Sequence, residues 1–164
     1  MMGKKDLESN LIRVHEWIRA ADQKVSIFLA FQGVVLTIIF PAVSSWVLVN
    51  IKIFSYANLV ILTIAFVSIG YGIYKSASAI IPRLVKDRKQ KSITYFGDIA
   101  KFELTDFKKN IKQMNAEEYE NELIEQIHIS AKIALRKHIQ FRDAIFVFSG
   151  GMFLLAVDFL VFQI

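Results

Sequence analysis

Leu7, Leu11, Val14, Ile18, Ala21 and Val25 recur at spacings of three and four, which places them on one face of a helix. The pattern runs without a breaker into VSIFLAFQGVVLTIIFPAVSSWVLV, the uncharged run Val25–Val49. A helix rising 1.5 Å per residue needs about 20 apolar residues to cross a bilayer. This run is long enough, and it predicts a helix that starts near Asp6 and continues through a first span over residues 25–49. A second uncharged run, Ile53–Tyr74, predicts a second span. Near the other end, Tyr119, Leu123, Ile127, Ala131, Ala134, His138, Phe141 and Ile145 again keep one face. That face passes into the apolar run Ala144–Ile164, broken only by Asp158, with a third span over residues 144–163. One unbroken helix over Ala116–Phe162 would be about 70 Å long.

Between the second and third spans the pattern is less regular. Pro82 should stop the second helix, because proline lacks the N–H that would continue it. RLVKDRKQK, Arg83–Lys91, reads as a basic connector beside the membrane. In SITYFGDIAK, residues 92–101, the aromatics, glycine and aspartate suggest a bend. A short helix is expected over Glu103–Lys112. Asn115 with Glu118 three residues on resembles a capping box that starts the last helix. The expected fold is an all-α membrane protein forming a single domain over residues 1–164. Its first and third spanning helices extend into a cytoplasmic helical portion, residues 1–24 and 75–143.

Composition agrees with the pattern. The 164 residues are 54% hydrophobic with a mean hydropathy of +0.42, above the roughly 45–50% apolar content of ordinary soluble domains. The net charge of +5 is explained first by the preference of Lys and Arg for cytoplasmic loops. Five basic residues, Lys4, Lys5, Arg13, Arg19 and Lys24, precede the first span. One, Lys52, lies between the first two, and fourteen lie from Lys75 to Arg142. The N-terminus and the long middle segment should therefore be cytoplasmic, with the C-terminus outside. No nucleic-acid partner is expected. The bilayer and other copies of the chain are, because broad helix stripes need covering.

Catalytic patterns are missing. The chain has no cysteine, which excludes thiol chemistry and disulfides. It has no glycine-rich phosphate loop and no serine, histidine and acid constellation. His15, His128 and His138 are scattered, and the last two, ten apart, point about 80° from each other on a helix. The chain is expected to be no enzyme, to bind no metal and to carry no cofactor.

Several polar positions in and beside the spans are candidates for gating. Asp22, Gln23 and Lys24 mark the inner boundary, Gln32 lies two turns deeper, and Asp158 interrupts the third span, where an ionisable residue is a functional candidate. Asp22 and Lys24, two residues apart, point about 200° from each other. Asp22 should therefore pair with a cation on another helix, either Lys137 or Arg142. Gly70, Gly72, Gly150 and Gly151 offer close helix approach.

Three stretches carry a family resemblance. They are ADQK with LAFQG (residues 21–24 and 29–33), YFGDIA (95–100) and LIEQIHISAKIALRKHIQFRDA (123–144). In order and spacing they resemble the transmembrane effector family of bacterial Pycsar anti-phage systems. The resemblance implies a membrane effector that responds to a cyclic nucleotide made by a cyclase after phage infection. It also implies that the inner membrane is compromised before phage replication finishes. Some relatives carry further fused domains, and no separate nucleotide-binding fold is visible here, so sensing would use the cytoplasmic helices or a partner. Asp22, Lys24, Gln32, Phe96, Asp98, Gln126, His128, Lys137 and Arg142 fall in the matched stretches. Candidate ligand contacts are Lys24, Lys132, Lys137 and Arg142 for phosphate, Phe96 or Tyr95 for the base, and Asp98 and His128 beside them. Two other readings stay open: a constitutive scaffold or small channel subunit without a nucleotide ligand, and a subunit that recruits a soluble partner through the basic connector.

Overall fold

A computed structural model describes residues 3–50, 56–81 and 92–162 of the protein. Of these, 92% are helical and none is in a strand. The helices are α1 (Lys4–Asn50), α2 (Tyr56–Ile80), α3 (Phe96–Ile99), α4 (Leu104–Gln113) and α5 (Ala116–Phe162). Three of them, α1, α2 and α5, are long and apolar enough to cross a membrane.

The boundaries have local causes. Gly3 N–H bonds the Asp6 carboxylate at 3.0 Å, so α1 begins slightly before Asp6. Pro41 lies inside α1, where it removes one backbone donor. Ser44 Oγ bonds the carbonyls of Phe40 and Pro41 at 2.8 and 3.1 Å, a local adjustment of the kind that lets proline persist in a spanning helix. The second helix continues past the uncharged run, which ends at Tyr74, through Ile80, close to the stop expected at Pro82. Its added turn is polar but satisfied: Lys75 meets Asp143 at 3.8 Å and Ser76 Oγ bonds Gly72 O at 3.2 Å. Ile53, Pro82 and the basic connector Arg83–Lys91 lie outside the described residues. The expected bend contains the single turn α3, and α4 lies one residue beyond the expected short helix. α5 begins with the predicted reciprocal box. Glu118 N–H bonds Asn115 Oδ1 at 2.8 Å, and Asn115 N–H bonds Glu118 Oε2 at 3.0 Å.

The chain divides into two compact units. The first comprises Met1–Ala20 and Pro82–Arg136. Its buried apolar residues include Leu7 and Val14 of α1 and Leu123 and Ala134 of α5. Polar contacts join the same helices. Tyr119 donates to Glu8 at 3.2 Å, Lys4 lies 4.6 Å from the Tyr119 ring, and Ser130 meets His15 Nε2 at 3.3 Å. Burial, and then the Glu8 carboxylate, raise the Tyr119 phenol above its ordinary value. It therefore remains a neutral donor near neutral pH.

The second unit, the membrane unit, comprises Ala21–Ile81 and Lys137–Ile164. Leu62, Ala65 and Ile69 of α2 form its buried cluster with Phe148 and Leu155 of α5. Phe28 of α1 stands edge-on to Phe141 and Phe148, at 5.9 and 5.7 Å between ring centres. Exposed positions on α1 and α5, such as Phe31, Val34, Ile38, Phe146 and Phe153, are apolar, as a lipid-facing surface requires.

Candidate functional site

Within the membrane unit the inward polar groups lie at successive positions along the helices. Asp22, on the turn of α1 after buried Ala21, receives the ammonium of Lys137 from α5. This is one of the two partners that helix geometry predicts for it. Arg142, the other, bonds the adjacent Asp143 at 3.1 Å. Asp22 retains 39% side-chain exposure against 15% for Lys137. The pair therefore falls between a surface contact, worth at most about 1 kcal/mol, and a buried one whose rupture costs about 3–5 kcal/mol. A double-mutant cycle on Asp22→Ala and Lys137→Ala, read by thermal unfolding in detergent, should give a coupling of about 1–2 kcal/mol. Additive effects of the two substitutions would show that the contact contributes nothing.

Further along α1, Gln32 is fully buried, and neither Nε2 nor Oε1 has a hydrogen-bond partner. On α5, Asp158 is 1% exposed. Its Oδ1 accepts from Asn58 Nδ2 of α2 at 3.4 Å, while Oδ2 has no partner. Buried polar groups normally find partners, so both residues depart from ordinary packing. The glycine pairs divide by direction. A Cβ on Gly72 would meet Phe148 Cβ at 2.9 Å, and one on Gly151 would meet Ala65 O at 2.8 Å. At Gly70 and Gly150 a Cβ would enter open space.

In the first unit the centre is Ser92, which none of the sequence patterns singled out. Its N–H donates to Asp98 Oδ2 at 3.1 Å. Its hydroxyl donates to Glu122 Oε1 and accepts from Thr94 N–H, Tyr95 N–H and Gln126 Nε2. Glu122 Oε1 also accepts from Thr94 N–H and Oγ1, at 3.1 and 3.2 Å. Two of the resembling stretches thus meet here: Asp98 comes from YFGDIA, and Gln126 from the long third stretch. Both side chains are buried; Asp98 holds the Ser92 backbone N–H, and Gln126 holds the Ser92 hydroxyl. The cue for Gln126 lay in its α5 register, three residues after buried Leu123 and four before buried Ser130.

The candidate ligand residues fall into both units. In the first unit, Asp98 is 5% exposed and turned to Ser92 and Lys101, whereas His128 and Lys132, four apart on α5, are exposed. Of the Phe96 side chain nothing is described. In the membrane unit, Lys24 is exposed, Lys137 is occupied by Asp22 and Arg142 by Asp143. Among the described residues no group of three His, Asp or Glu side chains could hold a metal ion.

The family model of the Pycsar effector protein domain matches residues 6–163, nearly the whole chain. The chain belongs to this family. No curated protein and no solved structure matches it. Together with its three apolar helices, membership makes the chain a membrane effector of the Pycsar anti-phage system. The contacts of Asp22, Gln32, Asp98, Gln126 and Lys137 above are accordingly those of a Pycsar effector in this conformation.

Proposed function

We propose that this effector acts without catalysis, oligomerises in the bacterial inner membrane and impairs that membrane once a cyclic nucleotide is made. The observation that carries the reading is the family match over residues 6–163 of a chain with three candidate spans. The distribution of five, one and fourteen basic residues supports an N-terminus and a middle segment in the cytoplasm, with the C-terminus outside. Gly33, Gly70 and Gly150 have open space beside them on exposed helix faces, which supports close approach by helices of other copies. For the nucleotide, exposed His128 and Lys132 on one face of α5 are the preferred contacts, because Lys137 and Arg142 already hold carboxylates. Binding drives the change only as far as it favours one helix arrangement over the other.

The experiment is co-expression with a nucleotide cyclase, reading membrane potential and growth alongside membrane-inserted protein by immunoblot. Wild type should depolarise the cells when the cyclase is active and not otherwise. Asp22→Ala should change the extent of depolarisation at matched protein levels, because it releases Lys137. Depolarisation without the cyclase would favour a constitutive channel subunit. A reporter fused after Ile164 should behave as external, and one inserted near Asn115 as cytoplasmic. A cytoplasmic C-terminus would overturn the three-span topology.

A further inference from the structure

We infer that monovalent cations, protons included, cross through the interior of each protomer's membrane unit when the effector is active, with Gln32 and Asp158 as the polar stations of that route. This rests on the proposed membrane impairment and gives it a path. Polar groups inside a bilayer are costly and are kept where ions or protons pass. Here Gln32, Ser76 and Asp158 are all buried inside the unit. The exposed faces of the spans carry mostly large apolar side chains, with hydroxyls such as Thr37 and Thr63 bonded to carbonyls of their own helix.

Their depths divide the membrane. Gln32 follows Asp22 by ten residues, about 15 Å along α1, and Asp158 follows Lys137 by twenty-one, about 32 Å along α5. With a hydrocarbon layer of about 30 Å, the Asp22–Lys137 pair stands at the inner end, Gln32 near the middle and Asp158 at the outer end. Two basic groups at the inner end face carboxylates, Lys137 with Asp22 and Lys75 with Asp143, while Lys24 is exposed on the outer face of α1. Asp158 is the sole charged residue of the third span, so the fixed charge along the route is acidic and selects cations.

The present arrangement is closed. Phe28, Phe148, Ile69, Leu62 and Leu155 pack the interior between the helices. A path closed by packed apolar side chains holds no water and blocks ions. Closure leaves both polar atoms of Gln32 and one oxygen of Asp158 unpartnered. Water entering on activation would satisfy these atoms, so the polar groups favour the conducting arrangement over the closed one.

The test uses inside-out membrane vesicles bearing the full chain, exposed in turn to 3′,5′-cyclic AMP, GMP, CMP and UMP. A pH-sensitive dye reads collapse of an imposed proton gradient. At equal protein, Gln32→Leu and Asp158→Asn should slow the nucleotide-triggered collapse at least tenfold, and Asp158→Glu should restore it. Because the chain has no cysteine, Gln32→Cys and Asp158→Cys report water directly. A positively charged thiosulfonate should modify both at least tenfold faster after the nucleotide, with no change at exposed Phe153→Cys. Collapse at the wild-type rate in both polar variants overturns the route. So does equal acceleration at Phe153→Cys, the signature of general bilayer rupture. Wild-type vesicles that hold their gradient under all four nucleotides overturn the proposed function and this inference together.

Discussion

Gly151→Ala should destabilise the membrane unit by about 1–3 kcal/mol, the usual cost of forcing one extra carbon into a packed core, while Gly150→Ala should leave it unchanged or raise its stability. The two positions are adjacent on α5 and differ only in direction. A Cβ at Gly151 would stand 2.8 Å from Ala65 O and from Ile69 Cγ1, and 3.0 Å from Ile69 N. Two of those atoms belong to the α2 backbone, so α2 must move as a whole. A Cβ at Gly150 meets nothing within 4 Å, leaving only the general gain of about 1 kcal/mol when alanine replaces glycine in a helix. Gly72→Ala meets the same obstacle from α2, with Phe148 Cα and N at 3.0 Å. The double variant Gly72→Ala/Gly151→Ala should therefore be the least stable. Thermal unfolding in detergent, followed by helical circular dichroism, orders the variants. A melting point for Gly151→Ala equal to that for Gly150→Ala would show that α2 and α5 are not held at this distance.

The same pair shows how far the sequence could be read. Adjacent glycines in a helix must point about 100° apart, so at most one of each pair could serve a given contact. Which one faced α2 depended on the register of α5, set by inward residues such as Ala144, Phe148 and Leu155. The spans were legible because uncharged runs of that length have few alternatives to crossing a membrane. The partner of Asp22 was legible only in part: Lys24 points away from it and few cations lie at similar depth, but Arg19, three residues before it, also shares its face. The Asn58–Asp158 contact was not legible, since it joins residues 100 apart through side chains alone. Nor were the roles of the matched stretches. YFGDIA reads equally as a binding loop or as a clasp, and only the inward turn of Asp98 toward Ser92 distinguishes them. Ser92 itself carries no signal, because its partners Glu122 and Gln126 lie 30 and 34 residues away across irregular backbone.

Ser92→Ala should cost the first unit about 2–3 kcal/mol, several times the effect of an ordinary surface substitution. A hydroxyl has one proton and two lone pairs. Here it donates to Glu122 and is shared by Thr94 N–H, Tyr95 N–H and Gln126 Nε2, at 3.1, 2.9 and 3.0 Å. Removing it strands the Gln126 amide, on a residue only 6% exposed, and withdraws one donor from Glu122. Glu122 keeps Thr94 N–H and Oγ1, and Ser92 N–H keeps Asp98, so the clasp loosens without vanishing. Ser92→Thr retains the hydroxyl and should cost less. Glu122→Gln retains an acceptor for Thr94 but loses the charge assistance, and should fall between them at about 1 kcal/mol. Limited proteolysis of the segment around residues 92–103, in membranes and at matched protein levels, reads this opening directly. Cleavage should accelerate in the order wild type, Ser92→Thr, Glu122→Gln, Ser92→Ala. Equal cleavage of Ser92→Ala and wild type would mean that Asp98, with Glu122 acting through Thr94, holds the turn at α3 without the Ser92 hydroxyl. In that case Asp98→Ala combined with Glu122→Ala, and not Ser92→Ala, would be the change that frees it.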